Sequence, residues 1–213
     1  MKNGNWFATI YMKIWPQKRW KQALFVFFIF VLAVVVVLAI VGTYVSSAVN
    51  KDVVSGIEVV NPSGSKTALV VYQTGLTSFP KDTSYAFANG LAASGWRVEI
   101  TTASSQAPSD LSKYSLLVLG FPTYEGSTPG QVIVRYVDRV GDLHGINTVI
   151  IALGGFDVGN SVATMTQNVH AANGTVQKSL ALIGTSTLFG VAPSGGNGSP
   201  ADISRQAGTQ IRP

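Results

Sequence analysis

The chain is expected to fold as an α/β domain on a five-stranded parallel sheet, placed behind one N-terminal transmembrane helix. Two observations predict this. A single uninterrupted apolar run lies near the N-terminus, and beyond it short β-rich runs alternate with longer amphipathic ones. Over 213 residues the composition is 46% hydrophobic and 12% charged, too apolar for an ordinary soluble protein.

The excess is local. Between Ala23 and Val45 nearly every residue is Ala, Val, Leu, Ile or Phe, with Gly42, Thr43 and Tyr44 breaking the run near its end. As a helix this stretch is roughly 35 Å long, enough to cross a hydrocarbon core of about 30 Å. A cleaved signal peptide uses a shorter apolar region, about 7 to 15 residues. Lys2, Lys13, Lys18, Arg19 and Lys21 precede the run without an acidic residue among them. That asymmetry places the N-terminus in the cytoplasm and the C-terminal domain on the outer face. Trp15, Trp20 and Tyr44 stand where interfacial aromatics belong, and Trp6, Phe7, Ile10, Tyr11 and Ile14 recur at a spacing suited to lying along the bilayer surface.

The net charge of +5 raises the question of nucleic acid. From Lys66 onward nine basic residues face eight acidic ones. The basic character therefore belongs to the anchor, and no nucleic-acid partner is expected. There is no cysteine, which excludes disulfides, thiolate metal sites and cysteine nucleophiles. His144 and His170 fit no metal-ligand spacing and are read as surface or loop residues.

Residues 46–65 are polar and contain Gly and Pro, which suggests a juxtamembrane linker with a short extended piece at 57–60. The domain is expected over 66–213. Thr67 to Gln73 is the first strand, followed by a helix from about Lys81 that stops at Gly95. Trp96 to Thr101 alternates like a strand near a sheet edge. Ser115 to Gly120 is fully apolar and suits the sheet centre. A Gly- and Pro-rich loop from Phe121 to Gly130 precedes a helix with apolar Val132, Ile133, Tyr136, Val137 and Val140. Asn147 to Leu153 is the fourth strand, and the helix through Val162, Met165 and Val169 ends at Asn173-Gly174. Val176 to Gly184 is the fifth strand. Ser199 and Pro200 then read as the N-cap and first residue of a last helix reaching about Ile211.

In an open parallel sheet, ligands bind at the carboxyl ends of strands where the winding reverses. Three loops are placed for this. The first is Tyr72-Gln73-Thr74-Gly75-Leu76-Thr77-Ser78, whose hydroxyls and amides precede a helix N-terminus, as a phosphate requires. The second is Gly120-Phe121-Pro122-Thr123-Tyr124-Glu125-Gly126, with an aromatic suited to stacking. The third is Leu153-Gly154-Gly155-Phe156-Asp157, with unobstructed backbone amides. No G-x-S-x-G elbow with a placed histidine is present, so no hydrolytic nucleophile and base can be named.

Taken in this order, the runs Leu69-Val70-Val71-Tyr72 with Thr74-Gly75-Leu76-Thr77, and Leu116 to Gly126, resemble the flavodoxin-like family. The segments Arg135 to Arg139 and Arg205 to Ile211 are similar to its later helices. The resemblance implies a doubly wound sheet of strand order 2-1-3-4-5, and flavin mononucleotide (FMN) as ligand. It also implies electron transfer or flavin-dependent reduction, and a redox partner. Thr74, Gly75, Leu76 and Thr77 would then hold the phosphate. Pro122, Thr123, Tyr124 and Gly126 would line the flavin ring, with Gly154, Gly155, Phe156 and Asp157 on its other side. The chain departs from the family at Tyr72 and Leu76, and inserts residues over Ser78 to Asp82 that include Pro80, which has no amide hydrogen. The alternative reading is a flavin-free module for binding or assembly at the membrane surface.

Overall fold

The computed structural model describes residues 19–124, 128–154, 158–184 and 198–213, and of Tyr124 the backbone alone. The chain divides into two compact units, Met1–Ala48 and Val49–Pro213. Helix α1 spans Arg19–Val49, and its most apolar window has a mean hydropathy of 3.6 with none of it buried. By length and composition it can cross a membrane. The N-terminal stretch expected to lie along the bilayer falls outside the described residues.

In the second unit the elements follow in order. They are β1 Glu58–Val60, β2 Thr67–Tyr72, α2 Phe79–Ala93, β3 Arg97–Thr102, β4 Leu116–Tyr124, β5 Thr128–Pro129, α3 Gln131–Val140, β6 Asn147–Gly154, α4 Gly159–Ala171, β7 Thr175–Ile183 and α5 Pro200–Thr209. The sheet order is β1-β3-β2-β4-β6-β7, with β5 hairpinned onto β4. Its parallel part, β3-β2-β4-β6-β7, is the 2-1-3-4-5 order that the resemblance implies. The five expected strands are present, with β1 and β5 in addition.

Alternation along β2 explains why its sequence shows no polar face. Leu69 and Val71 point to one side, where Leu117, Leu119, Ile150, Ile133, Tyr136, Met165 and Val169 form one core. Ala68, Val70 and Tyr72 point to the other, against Phe87, Leu91, Trp96, Val118, Ile151 and Ala207. A strand buried on both faces is apolar at every position. On the second face α2 and α5 approach closely at two glycines. A Cβ on Gly90 would lie 2.1 Å from the Arg205 carbonyl oxygen, and one on Gly208 would lie 2.5 Å from that of Phe87. At the start of α5 Ser199 is the N-cap in a reciprocal pair with Asp202, as the Ser-Pro sequence suggests.

Residues 49–60 are tied to the domain and are not a free linker, so the domain begins at Val49 and not at Lys66. The reason lies along β3. Its outer edge would leave backbone groups unpaired, a costly state when buried. Strand β1 pairs antiparallel with Val98 to Ile100, and Ser55 continues the cover beyond it. The Ser55 amide donates to Thr102 Oγ1 at 3.0 Å, and the Thr102 amide donates to Ser55 Oγ at 3.0 Å. The Ser105 amide donates to the Asp52 carboxylate at 3.2 Å, and Tyr85 donates to Glu58 at 2.8 Å. Hence β3 is covered on its outer side, not itself the sheet's edge, and all its residues but Arg97 are buried.

Glu99, whose side chain is 7% exposed, sits in this covered strand. It accepts from Tyr114 Oη at 2.6 Å, Lys113 Nζ at 2.9 Å and Arg97 Nη2 at 3.4 Å. Burial pushes its carboxyl up, but the hydrogen bonds from Tyr114 and Lys113 and the Lys113 charge outweigh burial and hold it below the usual carboxylate range.

Two outcomes are expected. A chain starting at Val49 should unfold cooperatively in urea, at a clearly higher midpoint than a chain starting at Lys66, which lacks the β3 cover. For Glu99 the folded pKa lies below the unfolded one. Its stabilisation is therefore complete above the unfolded value and lost as pH falls through the folded value. Thermal unfolding followed from neutral pH to about pH 3 should show a smaller acid loss for Glu99→Gln than for the unmodified chain.

Candidate functional site

Strands β2, β4 and β6 are consecutive neighbours, with Tyr72 opposite Gly120 and Gly120 opposite Ile151. At a strand spacing of about 4.8 Å, their carboxyl ends lie within roughly 10 Å of one another. From β2 the chain winds outward to β3 on one side and later to β4 on the other, so this is the reversal point of the sheet. Thr74 to Thr77, Pro122 to Tyr124 and Gly154 all stand at these ends. Gly126, Gly155, Phe156 and Asp157 lie outside the described residues.

At the end of β2, Gln73 is 1% exposed. Its backbone amide extends the ladder to the Gly120 carbonyl at 2.8 Å. Its side chain does two further things. Nε2 donates to the Val49 carbonyl at 3.1 Å, and Oε1 accepts from the Ile133 amide at 3.1 Å. Helix α3 begins behind Gly130, which has no side chain to cap it. Gln73 supplies that missing acceptor from another strand. The site is tight enough that a Cβ on Gly130 would fall 2.2 Å from Gln73 Oε1. Gln73 thus ties together the first residue of the domain, the first loop and the helix that follows the second loop.

Beyond Gln73, Thr74 and Gly75 are half-buried while Leu76, Thr77 and Ser78 are exposed. Ser78 occupies the N-cap position of α2 with a helical backbone and makes no side-chain cap. Its hydroxyl donates instead to Asp82 Oδ2 at 2.6 Å. The Phe79 amide donates to Thr77 Oγ1 at 3.4 Å, and Pro80 in the first turn has no amide hydrogen. The helix begins two residues earlier than expected, and the Phe79 ring packs on Gly184 beyond β7.

The second loop differs from its sequence reading. The stretch from Phe121 to Tyr124, expected as loop, prolongs β4, and Thr123 and Tyr124 pair antiparallel with Pro129 and Thr128. Proline is tolerated here because Pro122 lies beyond Gly120, the last β4 residue paired with β2. Thr123 Oγ1 is buried and has no hydrogen-bond partner among the described residues. A buried hydroxyl left in that state costs about 1–3 kcal/mol. Thr83, Ser84, Ser104 and Ser161 share it among the described residues, and Thr123 is the one that lies in a candidate loop. On the third strand, the Gly154 carbonyl accepts from the Gly184 amide at 2.9 Å, so β7 closes that side.

Gln73 and Gly130 were not singled out from sequence. The available signal was a polar residue ending an apolar strand, but its partners are 24 and 60 residues away.

No protein-family model and no curated protein matches the chain in sequence. Solved structures do match in shape. A flavodoxin from the domain Archaea superposes with a TM-score of 0.53 at 14% identity, covering 68% of this chain and 95% of that one. Two-electron reduced Megasphaera elsdenii flavodoxin gives 0.53 at 15% identity, covering 68% and 99%. Oxidised flavodoxin 1 from Bacillus cereus gives 0.51 at 11% identity, covering 68% and 96%.

Gln73→Ala removes both side-chain bonds and orphans the Ile133 amide. It is expected to cost about 2–3 kcal/mol, read as a lowered denaturation midpoint with unchanged slope. Together, the strand order and these superpositions show that the domain behind the apolar helix has the flavodoxin-like fold.

Proposed function

We propose that the chain is a membrane-tethered flavin-binding protein that transfers electrons or reduces a small acceptor. The observation that carries this reading is the unpartnered Thr123 hydroxyl at the reversal point of the sheet, beside the ends of β2 and β6. A sheet sealed on both faces offers a planar ligand only its strand ends, and a buried donor waiting there suits a ring bearing carbonyl oxygens and nitrogens. The flavodoxin-like fold supports the choice of a flavin among such ligands. Pro122, Thr123, Tyr124 and Gly126 line one side of the ring in this reading. Gly154, Gly155, Phe156 and Asp157 line the other, and Thr74, Gly75, Leu76 and Thr77 receive the side chain of the flavin.

The protein's part is to bind the ring, orient it and exclude water. A bound flavin supplies the one- and two-electron chemistry that no side chain here provides. Thr123 acts as a hydrogen-bond donor to the ring edge. Helix α1 holds the domain at a bilayer, with the basic N-terminus cytoplasmic and the domain on the outer side. The redox partner is then a protein or small quinone-like acceptor reachable from that side.

The alternative, a flavin-free module for assembly at the membrane, draws on the first loop, where Pro80 and Asp82 reduce what the helix offers an anion. One measurement separates the two. Full-length protein isolated from membranes is expected to be yellow, or to quench added flavin stoichiometrically. Thr123→Val should weaken that binding about fivefold or more, the equivalent of one neutral hydrogen bond. A colourless protein that quenches neither riboflavin nor FMN would establish the flavin-free module instead.

A further inference from the structure

We propose that the site takes a flavin whose side chain ends in an uncharged hydroxyl, riboflavin, in preference to its phosphate ester. This rests on the flavin reading above and concerns only the first loop. A phosphate dianion at a helix N-terminus needs free amide donors and an uncompensated positive dipole end. Helix α2 offers little of either. The Phe79 amide is turned to Thr77 Oγ1, and Pro80 has no hydrogen to give. The first turn already contains its own anion, Asp82, with the Ser78 hydroxyl bound to it at 2.6 Å. A ligand phosphate would meet this carboxylate, and like charges repel.

The side chains of the loop do not restore the balance. Lys81, the cation of residues 73–82, has its Nζ over the Tyr85 ring, 5.6 Å from the centroid. Leu76 is 53% exposed at the tip of the loop, and the Phe79 ring is held against Gly184. Apolar groups at these positions contribute nothing to a dianion. Among the side chains that remain, the Thr74 and Thr77 hydroxyls are neutral, the same kind of group as the hydroxyls of a ribityl chain. Asp82 thus acts as a specificity determinant that favours the uncharged flavin.

The test uses full-length protein in detergent, stripped of bound flavin, titrated separately with riboflavin and FMN and followed by flavin fluorescence quenching. Riboflavin is expected to bind tighter than FMN, and Asp82→Asn should tighten FMN alone by at least about threefold. The proposal is overturned if FMN binds as tightly as riboflavin or tighter in the unmodified protein, with the flavin reading then intact. It is equally overturned if Asp82→Asn leaves FMN unmoved. Binding of neither flavin removes the flavin reading and this inference with it.

Discussion

Burial of the central strands on both faces is the constraint from which the rest of this domain follows. Strands β2, β4 and β6 have apolar side chains above and below and spend their backbone groups on the ladder, so they have nothing left to offer a ligand along their length. Polar chemistry is confined to the two places where the ladder stops, the lateral edge and the carboxyl ends. Each of these is handled differently here.

At the lateral edge the answer is local cover. Segment 49–60 leaves helix α1, anchors at Gln73, passes Thr102 and Thr101 through Ser55, and finishes as β1 along the outer side of β3. It converts an edge into an interior strand, which is how Glu99 comes to be buried among Arg97, Lys113 and Tyr114. Val49 is hydrogen-bonded to the strand end beside the candidate site.

At the carboxyl ends the polar groups are arranged unevenly. Gln73 has both its side-chain nitrogen and its side-chain oxygen engaged, and it organises the loop and α3 around itself. Thr123 has a hydroxyl without a partner among the described residues. The first turn of α2 already holds its own carboxylate. A strand end with an open donor and a helix end already complemented by charge are different demands on a ligand, and the flavin proposal and its uncharged variant each answer one of them.

Much of the fold was legible in residue order. The run from Ala23 to Val45 can only be a long apolar helix. The apolar stretches at 67–73, 115–120 and 147–153, separated by amphipathic segments, required a parallel sheet covered on both faces, and Ser199-Pro200 marked the start of the last helix. These features depend on neighbours within a turn or a strand, so local sequence suffices. What only the tertiary structure decided depends on distant partners. Whether 46–65 would be slack or bound turned on Ser55 meeting Thr102, and whether β3 would be an edge turned on β1. The stretch from Phe121 to Tyr124 became strand because β6 and β5 were there to pair with it. The role of Gln73 arose because Gly130 left a helix uncapped far along the chain. Composition and periodicity carry no information about such pairings, because each is created by the packing that brings its two halves together.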